Sequence, residues 1–167
     1  MQIILIILCV FVLILLGYST NLRNQAMHYK KEEYNQRIVC QSNILLKKML
    51  IHWVEVKNYE RTLSDYFRER GIKRIAIYGA AEVGELFFRE LNGTDITIVC
   101  CIDRSKALYG QKTVRPEDFQ EDVDAVIVTA IYYFSEIYEQ LNSKLTRKVP
   151  IIGLDEIIFA LCEDAKA

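Results

Sequence analysis

KRIAIYGAAEVGELFFRE, Lys73 to Glu90, is the stretch on which the reading of this chain turns. Ile75, Ala76, Ile77 and Tyr78 form a short apolar run of the kind that is buried on both faces of a parallel sheet. Gly79, Ala81 and Gly84 follow as G-x-A-x-x-G, a variant of the G-x-G-x-x-G turn. In that turn the first glycine permits the sharp bend, the second position admits a phosphate to the backbone, and the third lets the helix lie close on the strand. Ala81 narrows the phosphate approach by one methyl. Glu82 suits a helix start but would repel a pyrophosphate unless it points away. Val83, Leu86, Phe87 and Leu91 then recur at the spacing of a helix with one buried face. The N-terminus of such a helix offers N–H groups and a positive dipole end to an anion.

The next apolar run, Ile96 to Ile102, ends in Asp103, 24 residues after Gly79. An acid at the end of the second strand suits the ribose hydroxyls of a nucleotide or nucleotide sugar. The same Asp opens DRSK, which also has the chemistry of a plain polar turn. Arg104 beside it suits a 2′-phosphate or a sugar phosphate. Cys100 and Cys101 fall on opposite faces of the strand and read as core.

Further on, the KTV ending at Val114 reads as a short third strand, and Pro116 opens a helical turn. DAVIVTA, Asp124 to Ala130, is a clear buried strand. A helix with Phe134, Ile137, Tyr138, Leu141 and Leu145 inward comes next. Val149 to Ile152 is a strand whose Pro150 favours a sheet edge, and a helix around Ile157, Ile158 and Leu161 closes the pattern. Alternating strands and helices predict an α/β fold with an open parallel sheet of about five strands. Ligands of such sheets bind beyond the C-terminal strand ends, where the strand order reverses. Here that crevice falls between the turn Gly79, Ala80, Ala81, Glu82, Val83, Gly84 and the pair Thr129 and Ala130. Tyr132 and Tyr133 read as its rim and Ser135 as a helix cap.

The chain has 167 residues and a net charge of −1, with no basic face of the kind nucleic-acid binders carry. Its hydrophobic residues make up 51%, and fourteen of them run without interruption from Ile3 to Leu16. With Met1, Gly17 and Tyr18 at its ends, the run reaches the length of a membrane span. It lacks the basic region and small-residue cleavage site of a signal peptide, so an uncleaved anchor over residues 1–20 is expected. Arg23, Lys30, Lys31 and Arg37 follow it, and no Lys or Arg precedes it. By the positive-inside rule this is a single-pass cell-membrane protein with its N-terminus outside and its globular part cytoplasmic. Five cysteines in no framework spacing fit reduced thiols. His28 and His52 have no neighbouring ligand cluster in sequence, so no metal is expected.

Residues 21–61 contain neither Pro nor Gly and read as a long juxtamembrane helix. Met27, Tyr34, Ile38, Leu45, Met49 and Val56 form a partial heptad seam, interrupted by Lys31, Gln41 and His52. The two readings are a coiled coil that dimerises the chain, and an amphipathic linker whose Leu45 to Val56 part, with Trp53, packs on its own domain. So polar a seam favours the linker. Thr62, with Asp65, opens a short helix with Leu63, Tyr66 and Phe67 on its apolar face and Gly71 at its close. The α/β domain is expected over residues 62–167.

IAIYGAAEVGELFFREL, VCCIDRS, GQKTVRPEDF, VDAVIVTA and VPIIGLDEII, in that order, resemble a Rossmann-like module of bacterial surface-polysaccharide proteins. The likeness runs from Ile72 to about Leu161. Related modules precede the catalytic domain of membrane-bound nucleotide-sugar dehydratases and polyprenyl-phosphate sugar transferases, and begin some sugar acetyltransferases. The family's turn usually reads G-A-G-E-x-G, which Glu82 fits and Ala81 does not. The resemblance implies a Rossmann-like sheet and an NAD(P) or nucleotide-sugar ligand. It also implies a partner enzyme of polysaccharide synthesis.

The globular part has no Tyr-x-x-x-Lys pair and no G-x-S-x-G turn, and no cysteine–histidine pairing is expected, since both histidines precede Gly71. The expected function is therefore a membrane-anchored, cytoplasmic module that binds a nucleotide or nucleotide sugar without catalysing a step. One alternative is a scaffold with a vestigial site, dimerising or recruiting a partner through residues 21–61. The other is an NAD(P)-dependent nucleotide-sugar enzyme.

Overall fold

The computed structural model describes residues 2–105, 107–108, 110–145 and 147–166, the side chains of residues 3–14 excepted. Helix α1 runs from Gln2 to Asn58. The chain divides into two compact units, one ending at Ile44 and the other starting at Leu45. In the first unit Thr20 Oγ1 donates back to Gly17 O at 2.8 Å, and Arg37 pairs with Glu33 one turn away at 2.7 Å. Leu22, Met27, Tyr29, Tyr34 and Val39 are exposed along it. Among the described residues no helix is long and apolar enough to cross a membrane. The side chains of residues 3–14, most of the anchor read from sequence, lie outside the description.

In the second unit Met49, Trp53 and Val56, at i, i+4 and i+7 on the last turns of α1, are buried in its core. Helix α2, Leu63–Glu69, starts where Thr62 N donates to Asp65 Oδ2 at 2.8 Å. It ends where Gly71, at φ +67°, lets Ile72 N reach back to Phe67 O at 2.9 Å. Strand β1, Arg74–Tyr78, leads into α3, Glu82–Leu91. Strands β2, Thr97–Ile102, and β3, Thr113–Val114, follow, then β4, Ala125–Val128. A 3₁₀ turn over Ile131–Tyr133 precedes α4, Phe134–Asn142. Strand β5, Ile151–Gly153, runs directly into α5, Leu154–Asp164.

All neighbouring strands are parallel, in the order β3-β2-β1-β4-β5. That is the order of the doubly wound α/β folds, with its reversal between β1 and β4. Successive residues alternate between two cores. Ile75, Ile77, Cys101, Ala125 and Ile127 face Phe67, Phe87, Leu91, Ile157 and Leu161, together with the end of α1. Ala76, Cys100, Ile102, Val126 and Val128 face Phe119, Ile137 and Leu141. Each large side chain sealed in these layers contributes about 1.5–3 kcal/mol. Pro150 stands before the edge strand and lends its carbonyl to Val126 N at 2.8 Å, where an N–H is not needed.

Two helices turn differently from expectation. Leu86 is 47% exposed, because the buried stripe of α3 is Gly84, Phe87 and Leu91, and Leu86 lies one residue, about 100°, off it. Tyr138 is exposed for the same reason, beside the buried Ile137 and Leu141.

Candidate functional site

The expected site residues stand at the C-terminal ends of β1, β2 and β4, on either side of the strand-order reversal. Gly79 leaves β1 at φ +104°, a conformation that glycine adopts without strain. A Cβ there would also meet Thr129 Oγ1 at 2.7 Å. Gly84 is fixed by space: a Cβ would lie 2.1 Å from the carbonyl oxygen of Gly79. The third glycine thus lets the first turn of α3 lie against the turn that starts it. Ala81 is the N-cap residue of α3, exposed and extended, with no side-chain cap of its own. Glu82, at the first helical position, is also exposed, while Ala80 is buried and Val83 half-buried.

Asp103 binds the turn directly. Its Oδ2 accepts Ala80 N–H at 2.8 Å, and its Oδ1 accepts Ser105 N–H at 2.9 Å. The second bond is the turn chemistry read in DRSK, and the first joins the end of β2 to the glycine turn. Ser105 Oγ also reaches Oδ1, at 3.4 Å, so the carboxylate ties the start of the loop after β2 to the glycine turn. Thr129 closes the opposite side, with its buried Oγ1 at 3.0 Å from Tyr78 O and 3.1 Å from Gly79 O. Ala130 follows it and is half-buried. Arg104 is exposed, and burial raises the pKa of the half-buried Tyr78 beside it, with Arg104 opposing. Ser135 is not a cap: it lies inside the first turn of α4, whose N-cap position falls on Tyr133.

The family described as C2185-like, N-terminal, matches residues 71–152. The likeness covers just under half of the chain, from the end of α2 into β5, and includes the whole glycine turn. No curated protein and no solved structure matches the chain.

Chemically, the turn can hold an anion at the N-terminus of α3 and a polyol at Asp103. The nearby thiols are not nucleophiles at neutral pH. Burial pushes Cys100 up to about 11 and Cys101 up to about 12. A separate cleft of about 650 Å³ opens near the N-terminal ends of β4 and β5, lined in part by Glu117, Asp122, Lys144 and Arg147. Its charges are mixed, and Arg147 is already paired with Asp122 at 2.8 Å.

One grouping escaped the sequence reading. His52 and Glu55, on the last turns of α1, meet Cys162 of α5. Their separation of 110 residues conceals the contact, and only the i, i+3 spacing of His52 and Glu55 was a local signal.

Proposed function

We propose that this chain is a Rossmann-like binding module whose Gly79–Gly84 turn and Asp103 hold a nucleotide or nucleotide sugar. The observation that carries the reading is the Asp103 carboxylate seated on Ala80 N–H at the point where the strand order reverses. That places the acid expected for a ribose beside the helix N-terminus expected for a phosphate. The apolar run Ile3 to Leu16 and the basic residues after it support a single-pass anchor with the globular part in the cytoplasm. The likeness to surface-polysaccharide modules supports a place in that synthesis, beside a partner enzyme that completes the reaction.

The test is thermal unfolding of the full chain with NAD, NADP, several nucleotide sugars and coenzyme A. A ligand at 100 times its dissociation constant adds about 2.7 kcal/mol. Ala81→Asp is the decisive variant. An N-cap aspartate stabilises a helix by about 0.5–2 kcal/mol, yet it puts a carboxylate where the phosphate would sit. A variant more stable than the wild type that has lost the ligand shift supports the reading. An equal shift in both proteins, or a flat panel, refutes it.

A second reading draws on the exposed Leu22, Met27, Tyr34 and Val39. They suit a helix that recruits or dimerises a partner, with the glycine turn vestigial. In that case Ile38→Asp abolishes association and Ala81→Asp changes nothing but stability.

A further inference from the structure

We propose that His52, Glu55 and Cys162 form a binding site for a zinc-class divalent transition-metal ion, joining the end of α1 to α5. The three side chains supply an imidazole nitrogen, a carboxylate oxygen and a thiol sulfur, the donor types that zinc takes in proteins. Their spacing is already close to that of a bound ion. His52 Nδ1 lies 3.0 Å from Glu55 Oε2, Cys162 Sγ lies 3.1 Å from the same oxygen, and the sulfur and nitrogen are 3.8 Å apart. Tetrahedral bonds of about 2.0 Å to nitrogen and oxygen and about 2.3 Å to sulfur require donor separations of about 3.3–3.6 Å. Shifts of a few tenths of an ångström, within reach of small side-chain rotations, convert one arrangement into the other.

The surroundings fit a site more than a chance surface cluster. Cys162 is only 3% exposed, so its sulfur is held by the core, whereas His52 and Glu55 are each about a third exposed and leave an entry path. The i, i+3 spacing puts His52 and Glu55 on one face of α1, and the edge of the Phe159 ring, centroid at 5.0 Å, steadies the imidazole. Without an ion, the Cys162 thiol donates its proton to Glu55. An entering cation takes the place of that proton, which leaves to solvent as the sulfur becomes a thiolate. His52 Nδ1, which donates to Glu55 in the ion-free site, gives up its hydrogen as the neutral imidazole takes the Nε2–H tautomer. Thiolate, carboxylate and neutral imidazole then carry two negative charges against the ion's two positive ones. Three protein ligands leave a fourth position for water. Soft sulfur with imidazole selects zinc-class ions over magnesium and calcium. Lys166 Nζ, 3.4 Å from Glu55 Oε2, competes for the same oxygen and must swing into solvent.

The test titrates the full chain with Co²⁺ alone and then adds Zn²⁺. One Co²⁺ per chain should give the near-ultraviolet band of a cobalt–thiolate bond and the visible bands of tetrahedral cobalt, and Zn²⁺ should erase both. Cys162→Ser should lose the thiolate band. His52→Gln and Glu55→Gln should weaken binding by at least the roughly tenfold that even an outer-shell change costs. Cys40→Ser, which removes the one thiol that is exposed among the described residues, should change nothing. Far-ultraviolet circular dichroism and the emission of Trp53 check that each variant is folded. If Cys162→Ser fails that check, the two half-exposed positions decide on their own. No thiolate band in the wild type, a band lost with Cys40→Ser instead, or full affinity in both His52→Gln and Glu55→Gln overturns the proposal.

Discussion

Gly84 has no room for a single methyl group. Alanine in a helix normally gains about 1 kcal/mol over glycine, but here its Cβ would sit 2.1 Å from the Gly79 carbonyl oxygen. That atom belongs to the backbone and cannot rotate aside. Overpacking of this kind costs about 1–3 kcal/mol and outweighs the gain in propensity. Gly84→Ala should therefore lower the urea midpoint of the full chain, with a net loss of up to about 2 kcal/mol; a higher midpoint would contradict the packing role. Asp103→Ala should also destabilise, since Ala80 N–H and Ser105 N–H both lose their acceptor. Loss of ligand in that variant alone would thus say little, and Ala81→Asp is the cleaner probe. Gly79, Gly84 and Asp103 were legible in the sequence because turn glycines and strand-end acids act within a short stretch of chain. Asp103's grip on Ala80 was not legible. It depends on how β1 and β2 register, with Tyr78 opposite Ile102.

The last turns of α1 are tied to the sheet by one carboxylate on α3. Glu90 Oε2 accepts Trp53 Nε1–H at 2.7 Å, and its Oε1 accepts Leu63 N–H at 3.2 Å and pairs with Lys57 at 2.6 Å. The Glu90 side chain is only 13% exposed, so removing it strands a buried indole N–H and a backbone N–H. Glu90→Ala should cost about 2–3 kcal/mol, the scale of hydrogen bonds to a charged group. The chain has a single tryptophan, so the emission of Trp53 reports the same event and should shift to the red. Unaltered emission and stability would mean that Met49 and Val56 hold α1 without the carboxylate. Elements were readable where apolar spacing was long and regular. The strands and helices of the sheet appear in their expected order, with short β3 and edge strand β5. The helix faces were less readable. Leu86 and Tyr138 match the apolar period as well as their buried neighbours do, and only the sheet beneath decides which stripe turns inward.

At the scale of the molecule, several carboxylates are more acidic in the fold than free in solution, and together they set its response to pH. Asp124 Oδ2 accepts the N–H groups of both Lys73 and Arg74, which lowers its pKa. The Arg68 hydrogen bond lowers that of Asp95. Asp65 is lowered too: burial opposes the shift, and the Thr62 bonds with nearby Arg61 and Arg68 outweigh it. The His52 and Cys162 bonds pull Glu55 from 4.5 down to about 2. A group whose folded pKa is depressed stabilises the fold above its unfolded pKa and loses that contribution as pH falls through the folded value. All four shifts have the same sign, so their effects add. The thermal midpoint of the full chain, in chelator so that no metal holds Glu55, should be steady from neutral pH down to the ordinary carboxylate range. It should then fall continuously toward pH 2, where the Glu55 contribution is being lost. Asp124→Asn cannot hold a negative charge at the start of β1. It should lower the midpoint at neutral pH and make the acid limb shallower, because one protonation step is gone from it. An acid limb of unchanged slope in Asp124→Asn would show that the paired N–H groups of Lys73 and Arg74 do not tune that carboxylate.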